Sequence, residues 1–132
     1  MASNLSLLLL VLGYLTVAQA QIRLYNLRAS NLASNNMGSM DAYVKVFCGS
    51  AYLGKTVVRN NNVSPWWTEE FTYFKAKQND VLKLEVYDRH APYDELLGVC
   101  QRQLRLGTHG YDCTLKRGGT LIYIYTLSTS HQ

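Results

Sequence analysis

Side chains able to do chemistry are few in these 132 residues, and their spacing argues against catalysis. His90, His109 and His131 sit in no nucleophile, metalloprotease or acid–base motif. Asp94 and Glu95 are adjacent. Successive side chains of a strand point to opposite faces, so the two do not form an acid–base pair. Zinc needs four nitrogen or sulfur ligands, and no Cys-x-x-Cys or His-x-x-x-His spacing is present. A binding domain is expected, not an enzyme. Two aspartates stand at the ends of apolar segments, Asp41 and Asp88. At strand ends, carboxylates of this kind accept hydrogen bonds from loop amides.

The cysteines are Cys48, Cys100 and Cys113, so in an oxidising compartment one pair forms and one residue is left over. Cys100 and Cys113 flank a short loop with Gly107 and Gly110, a natural place for a hairpin staple. Cys48 ends an apolar segment in phase with Val44 and Val46, which places it on a buried face as a small hydrophobe. A buried free thiol and an intermolecular bridge through Cys48 are the two readings; a monomer is expected, with a Cys48 dimer the alternative.

The elements that must position these residues are strands. Apolar residues make up 48% and charged residues 17%, which suits a folded core, and ten tyrosines with many Val, Leu and Thr favour strands over helices. Strands are expected at residues 22–27, 43–48, 53–58, 71–74, 81–87, 96–100, 111–115 and 121–127. Alternation is clearest in Val81 to Tyr87, where Leu82, Leu84 and Val86 face one way. Polar loops separate them, chiefly Ser30 to Ser39 and Arg89 to Glu95. The spacing predicts an all-β, eight-stranded antiparallel sandwich with one core.

Residues 1–20 stand apart. Leu5 to Val17 is almost wholly apolar, and Ala18-Gln19-Ala20 offers small residues around a cleavage point before Gln21. This is a secretory signal pattern, too short for a comfortable membrane span. The expected organisation is a signal peptide at 1–20, a single domain at 21–132 and a secreted product. The formal charge is +4, without a dense Lys/Arg run or a nucleic-acid motif. Nucleic acid is therefore not an expected partner. Lys45, Lys55, Arg59, Lys75 and Lys77 are taken as solvated outer-face residues in preference to a lipid-binding patch. Asn62-Val63-Ser64 is a formal glycosylation site, but Pro65 follows it.

In order along the chain, Ala29-Ser30-Asn31-Leu32, Asp41-Ala42-Tyr43-Val44-Lys45-Val46, Asn62 through Phe71 with Pro65, Trp67 and Glu69, Leu82 through Asp88, and Glu95-Leu96-Leu97-Gly98 resemble the signature segments of the C2 domain family. The resemblance implies a C2-type β-sandwich. Within the family the segment Asp41 to Phe47, the run Asn60-Asn61-Asn62 and the pair Cys100 and Cys113 are most similar to the C2 domains of perforins. That similarity implies a Cys100–Cys113 disulfide. It also implies that the Ser30–Asp41 and Asp88–Glu95 loops share one end of the sandwich, an end that in perforins binds calcium and then lipid. The chain has no room for a pore-forming domain, so perforation is not expected of it.

The resemblance also implies a calcium ligand set. Calcium takes six to eight oxygens, several from carboxylates. Asp41 matches the aspartate after the first loop, Asp88 the first of the third loop, and Glu95 its last, with Asp94 beside it as a substitute. The early loop-one aspartate is replaced by Asn35 or its neighbour Asn36, and a second loop-three aspartate by His90. Imidazole is a poor calcium ligand, so affinity is expected to fall into the millimolar range of extracellular modules. For membrane contact the implied residues are Leu32, Met37 and Met40 in the first loop and Pro92 and Tyr93 in the third. Trp67 occupies the family's core position, with Trp66 half exposed beside it. The expected function is docking on phospholipid membrane surfaces through this tip, in extracellular, defence-related contacts, with a weakened calcium site. The alternative is a calcium-independent secreted module that binds an extracellular protein or glycan.

Overall fold

The computed structural model describes residues 19–35 and 38–129. The signal segment proposed for 1–20 lies outside them up to residue 18. Among the described residues every element is a strand: β1 (Ala20–Ser30), β2 (Ala42–Cys48), β3 (Ala51–Lys55), β4 (Trp66–Trp67), β5 (Phe71–Ala76), β6 (Val81–Asp88), β7 (Glu95–Gln103), β8 (Gly107–Thr114) and β9 (Thr120–Thr129). Two antiparallel sheets face each other. One has the order β3-β2-β6-β7; in the other β1 pairs with β9, β9 with β8, and both β4 and β5 lie against the free edge of β1. Trp66–Trp67 sits opposite Arg28 and Leu27, and Phe71 opposite Leu24. The two short strands are thus one edge interrupted at Thr68–Glu70, which reconciles the expected eight strands with the nine observed.

The core follows the alternation. Leu82, Leu84 and Val86 are buried, as are Val44 and Val46 opposite them, and the other sheet contributes Leu24, Leu27, Leu121, Tyr123, Tyr125 and Leu127. Strand β1 changes phase midway: Ile22 and Leu24 point inward, and so do Leu27 and Ala29. A bulge takes up the extra residue. Asn26 holds φ at 54°, and the register against β9 shifts between Tyr25 and Arg28. Asparagine tolerates this left-handed backbone better than most residues, and bulges of this kind bend and twist the strand.

Two expectations are corrected. The third strand ends at Lys55, not at Val58. Thr56 turns into the protein, where its amide donates to the Val44 carbonyl and its Oγ1 accepts from the Val44 amide. The Val57 carbonyl then receives the Trp67 indole N–H at 3.0 Å. The ladder is given up to satisfy the polar edge of a fully buried tryptophan. The cysteine pair is also differently placed. The disulfide Cys100–Cys113 joins β7 to β8, with a Cα–Cα separation of 6.1 Å. These strands belong to different sheets and do not pair, so the bond is an inter-sheet clamp and not a hairpin staple. Gly107 and Gly110 belong to β8, and the turn lies before them.

Cys48 is a buried free cysteine at the end of β2. Burial pushes its thiol up to about 11. The Cys48 dimer would need this side chain at the surface, and the fold does not present it there.

Candidate functional site at the loop tip

The tip is built where β1, β2, β6 and β7 meet their loops. Asp88 ends β6 in phase with Leu82, Leu84 and Val86, so alternation carries its carboxylate toward the interior, and it is 2% exposed. A buried carboxylate needs partners. Asp88 Oδ1 accepts from the Asp41 amide at 2.9 Å. The Asp41 carboxylate accepts from the Asn61 amide at 2.8 Å and from Ser39 Oγ at 3.0 Å. Asp41 and Asp88 are thus brought together, and together they tie the first loop, the Asn60–Asn62 turn and the end of β6 into one unit. The Arg89 amide adds a bond to the Asp41 carbonyl.

Glu95, the first residue of β7, holds the first loop from the other side. Its carboxylate accepts from Ser34 Oγ and, at 3.2 Å, from the Asn35 amide, and the Arg117 guanidinium stands 3.6 Å away. The Ser34 hydroxyl, then the Asn35 amide and the Arg117 charge, keep this carboxyl below the usual glutamate range despite partial burial. Arg117 reaches Glu95 from the turn between β8 and β9. That turn passes so close to the first loop that a Cβ on Gly119 would meet the Asn31 carbonyl oxygen at 2.6 Å. Neither Ser34 nor Arg117 carries a motif that would have marked it in the sequence.

Asp94 does not join the others. It accepts from the Tyr43 hydroxyl and from the His90 amide, and the Tyr43 bond is the main reason its carboxyl is held below the ordinary aspartate range. Tyr43 lies on the outer face of β2, so Asp94 lines a shallow groove there with Lys55, Thr56, Val58 and Arg89. Asn35 is exposed, and its amide, not its side-chain oxygen, makes the bond to Glu95.

The membrane-contact residues separate into two groups. Tyr93 is 82% exposed, and Pro92 beside it is exposed, in the loop between Asp88 and Glu95. Met40 and Leu32 are corrected: they are only 6% and 5% exposed and belong to the core. The backbones flanking the first loop are pinned by Asn62 and Val63, which turns both side chains inward. Met37 lies outside the described residues. Trp67 is buried and Trp66 is 59% exposed with the Arg28 guanidinium 5.1 Å from its ring centre.

The lysines are less scattered than expected. Lys45, Lys55 and Lys83 gather on the outer face of the four-stranded sheet. Lys45 lies 4.8 Å from the ring centre of Tyr87, Lys55 5.8 Å from that of Tyr43, and Lys83 4.5 Å from that of Phe47. Tyr43 and Tyr87 stack at 5.4 Å. Aromatic faces hold the ammonium groups over the sheet, with Glu85 paired to Lys83 among them.

The C2 domain profile matches residues 20–116. The chain belongs to the C2 domain family. The segments that carry the C2 resemblance are those that build the tip and its flanking strands. Perforin-1 of Rattus norvegicus is 31% identical over 109 residues, which is 80% of this chain and 19% of perforin-1. The chain thus spans about a fifth of that relative's length. A solved structure described as a C2 domain is 63% identical, with a TM-score of 0.80 over 83% of this chain and 98% of its own. The calcium-bound C2A and C2B domains of extended synaptotagmin 2 align with a TM-score of 0.73 at 24% identity, over 98% of this C2 chain and 49% of theirs, and share the fold.

The residues of this C2 tip suit calcium in kind but not in arrangement. Carboxylate oxygen is the right donor for a hard cation. Among the described residues, however, no three His, Cys, Asp or Glu side chains gather closely enough to hold a metal ion. Asp94 faces another groove, and Glu95 is engaged by Ser34, Asn35 and Arg117.

Proposed function

We propose that this C2 domain docks reversibly on phospholipid surfaces through the Asp88–Glu95 loop, as a secreted module whose mature chain starts at Gln21. The observation that carries the reading is Tyr93, an aromatic side chain almost fully in solvent in the loop that leads from Asp88 to Glu95. Tyrosine suits the membrane interface, with an apolar ring and a polar hydroxyl. The three lysines on the adjoining sheet add attraction to anionic headgroups. If calcium takes part, Asp41 and Asp88 would hold it with Glu95 as the third carboxylate, and it would supply a cation between protein and phosphate. Affinity is then weak, because Glu95 must first leave its present partners. Secretion is supported by the Cys100–Cys113 disulfide, a bond that persists in oxidising compartments. Contact with target membranes in extracellular defence is proposed from the similarity to perforin-1.

A second reading has support of its own. The carboxylates are already satisfied by hydroxyls, amides and Arg117, as in a tip that binds an extracellular protein or glycan without calcium. Sedimentation of residues 21–132 with neutral and anionic liposomes, in millimolar calcium or chelator, separates the two. Docking predicts pelleting with anionic liposomes, reduced by Tyr93→Ala; a calcium role further predicts its loss with Asp88→Asn. Absence of pelleting in every condition leaves the second reading.

A further inference from the structure

At the end of the sandwich away from the tip the two sheets part. Beyond the Cys100–Cys113 clamp, β7 continues to Gln103 and β8 begins at Gly107, and the edges leave an open groove of about 350 Å³. Its walls are Arg102 and Gln101 with Gln103 on β7, Tyr111 on β8, and Arg105 and Asn79 from the two loops at its end. This volume lies within the range of about 300–1,000 Å³ typical of ligand sites.

The groove is held on both sides. The disulfide fixes one end. At the other, the Asn79 amide donates to the Leu104 carbonyl at 3.0 Å and the Leu104 amide to the Asp80 carbonyl at 2.8 Å, so the two loops are locked to each other. The Arg105 amide donates to the buried Tyr125 hydroxyl at 3.0 Å. The arginine side chains are held by rings. The Arg102 guanidinium lies 3.9 Å from the ring centre of Tyr111, and Arg105 Nη2 is 3.5 Å from the Tyr111 hydroxyl. Among the described residues the ion pairs are Arg23–Glu70, Lys83–Glu85 and Arg117–Glu95, so no carboxylate neutralises either arginine. Two guanidinium groups on one tyrosine, with Gln101, Gln103 and Asn79 among the lining residues, are arranged for an anion that also carries hydroxyl groups.

We infer that this groove binds a phosphate monoester on a polyol. Arginine offers planar donor forks that match phosphate oxygens in pairs. A phosphate monoester carries about −1.5 to −2 charges at neutral pH, which balances two arginines better than a sulfate ester or a carboxylate. The amides of Gln101, Gln103 and Asn79 provide both donors and acceptors for the polyol hydroxyls. The site lies at the opposite end of the sandwich from the tip and borders the lysine face where Gln101 pairs with Lys83, and it needs neither calcium nor Tyr93.

The test is an NMR titration of the folded domain with inositol 1,4,5-trisphosphate, inorganic phosphate and sulfate, and then with vesicles containing the corresponding phosphoinositide. The expected result is saturable perturbation of the Gln101–Arg105 and Tyr111 amides, strongest with the inositol phosphate. An Arg102→Gln, Arg105→Gln double variant should bind at least tenfold more weakly, while Lys75→Gln, at an exposed position on β5, leaves the affinity unchanged. Response in the soluble arm alone identifies a free inositol phosphate as ligand; response in both arms identifies a lipid headgroup. Perturbations confined to Lys45, Lys55 and Lys83, equal response to sulfate, or no saturable response would overturn the inference. The wild-type map decides this even where the double variant fails to fold. Tip docking by Tyr93 is scored separately, so the two claims fail independently.

Discussion

Each carboxylate of the tip has a distinct partner, and the consequences differ. Glu95 is held below its ordinary pKa first by Ser34 and then by Asn35 and Arg117. A carboxylate depressed in the folded state contributes stability that is present above its unfolded pKa, about 4.3 for glutamate, and is lost as pH falls through the folded value. Thermal melting should therefore be level above about pH 5 and decline below about pH 4. Ser34→Ala, which removes the largest cause, should lower the melting temperature at pH 7 and make the acid decline shallower; an unchanged acid limb would contradict this assignment. The thiol of Cys48 provides a second test at the same scale. Buried and pushed up to about 11, it should resist a disulfide exchange reagent at pH 8 in the native state and react once denaturant is added. Rapid native reaction, or a dimer band on a non-reducing gel, would mean that the β2 end opens. Residue-level reading of the sequence was sound where alternation applied: Cys48 and the Trp67 core position follow from phase or family pattern. It failed at Met40 and Leu32, because a loop has no period to say which apolar side chains turn inward. The bond of Asp94 to Tyr43, across 51 positions, likewise has no local sign in the sequence.

Among the elements, the turn between β8 and β9 does more than join two strands. Gly119 has φ at +85°, and its missing Cβ leaves room for the Ser30 and Asn31 carbonyls at the start of the first loop. This close approach lets Arg117 reach Glu95. Gly119→Ala combines a left-handed backbone with contact at 2.6 and 2.7 Å against backbone oxygens that cannot swing away. Such strain costs roughly 1–3 kcal/mol. Melting should fall by several degrees, and the tip amides of Ser34 and Asn35 should lose protection from hydrogen exchange; a variant as stable as the parent would show that the turn is free to move. The strand framework was legible because alternation is strong in β2, β6 and β9. The bulge at Asn26, the split edge strand and the early end of β3 were not. Each depends on a partner outside its own segment: β9 for the bulge, β1 for the split edge, and the Trp67 indole for the Val57 carbonyl. The disulfide partners were inferred rightly from family similarity, but the expected hairpin misplaced them, since a separation of 13 residues suits a staple as well as a clamp between sheets.

At the scale of the molecule, the three proposed binding surfaces occupy different parts of one sandwich. The Tyr93 loop forms the tip, the lysine–tyrosine face covers the four-stranded sheet, and the arginine groove lies between the sheet edges at the far end. Their separation allows a domain docked by its tip to keep the groove open to a second ligand. Docking through the tip can be tested at a single residue. Cys48 is buried and Cys100–Cys113 is bonded, so a Tyr93→Cys variant offers one accessible thiol for an environment-sensitive fluorophore. With anionic vesicles, tip docking predicts a blue shift and a rise in emission from position 93, and no comparable change from the same label at Lys75→Cys, exposed on β5. Spectra that stay unchanged at position 93 while the protein pellets with the vesicles would contradict it, because membrane contact would then lie elsewhere on the domain.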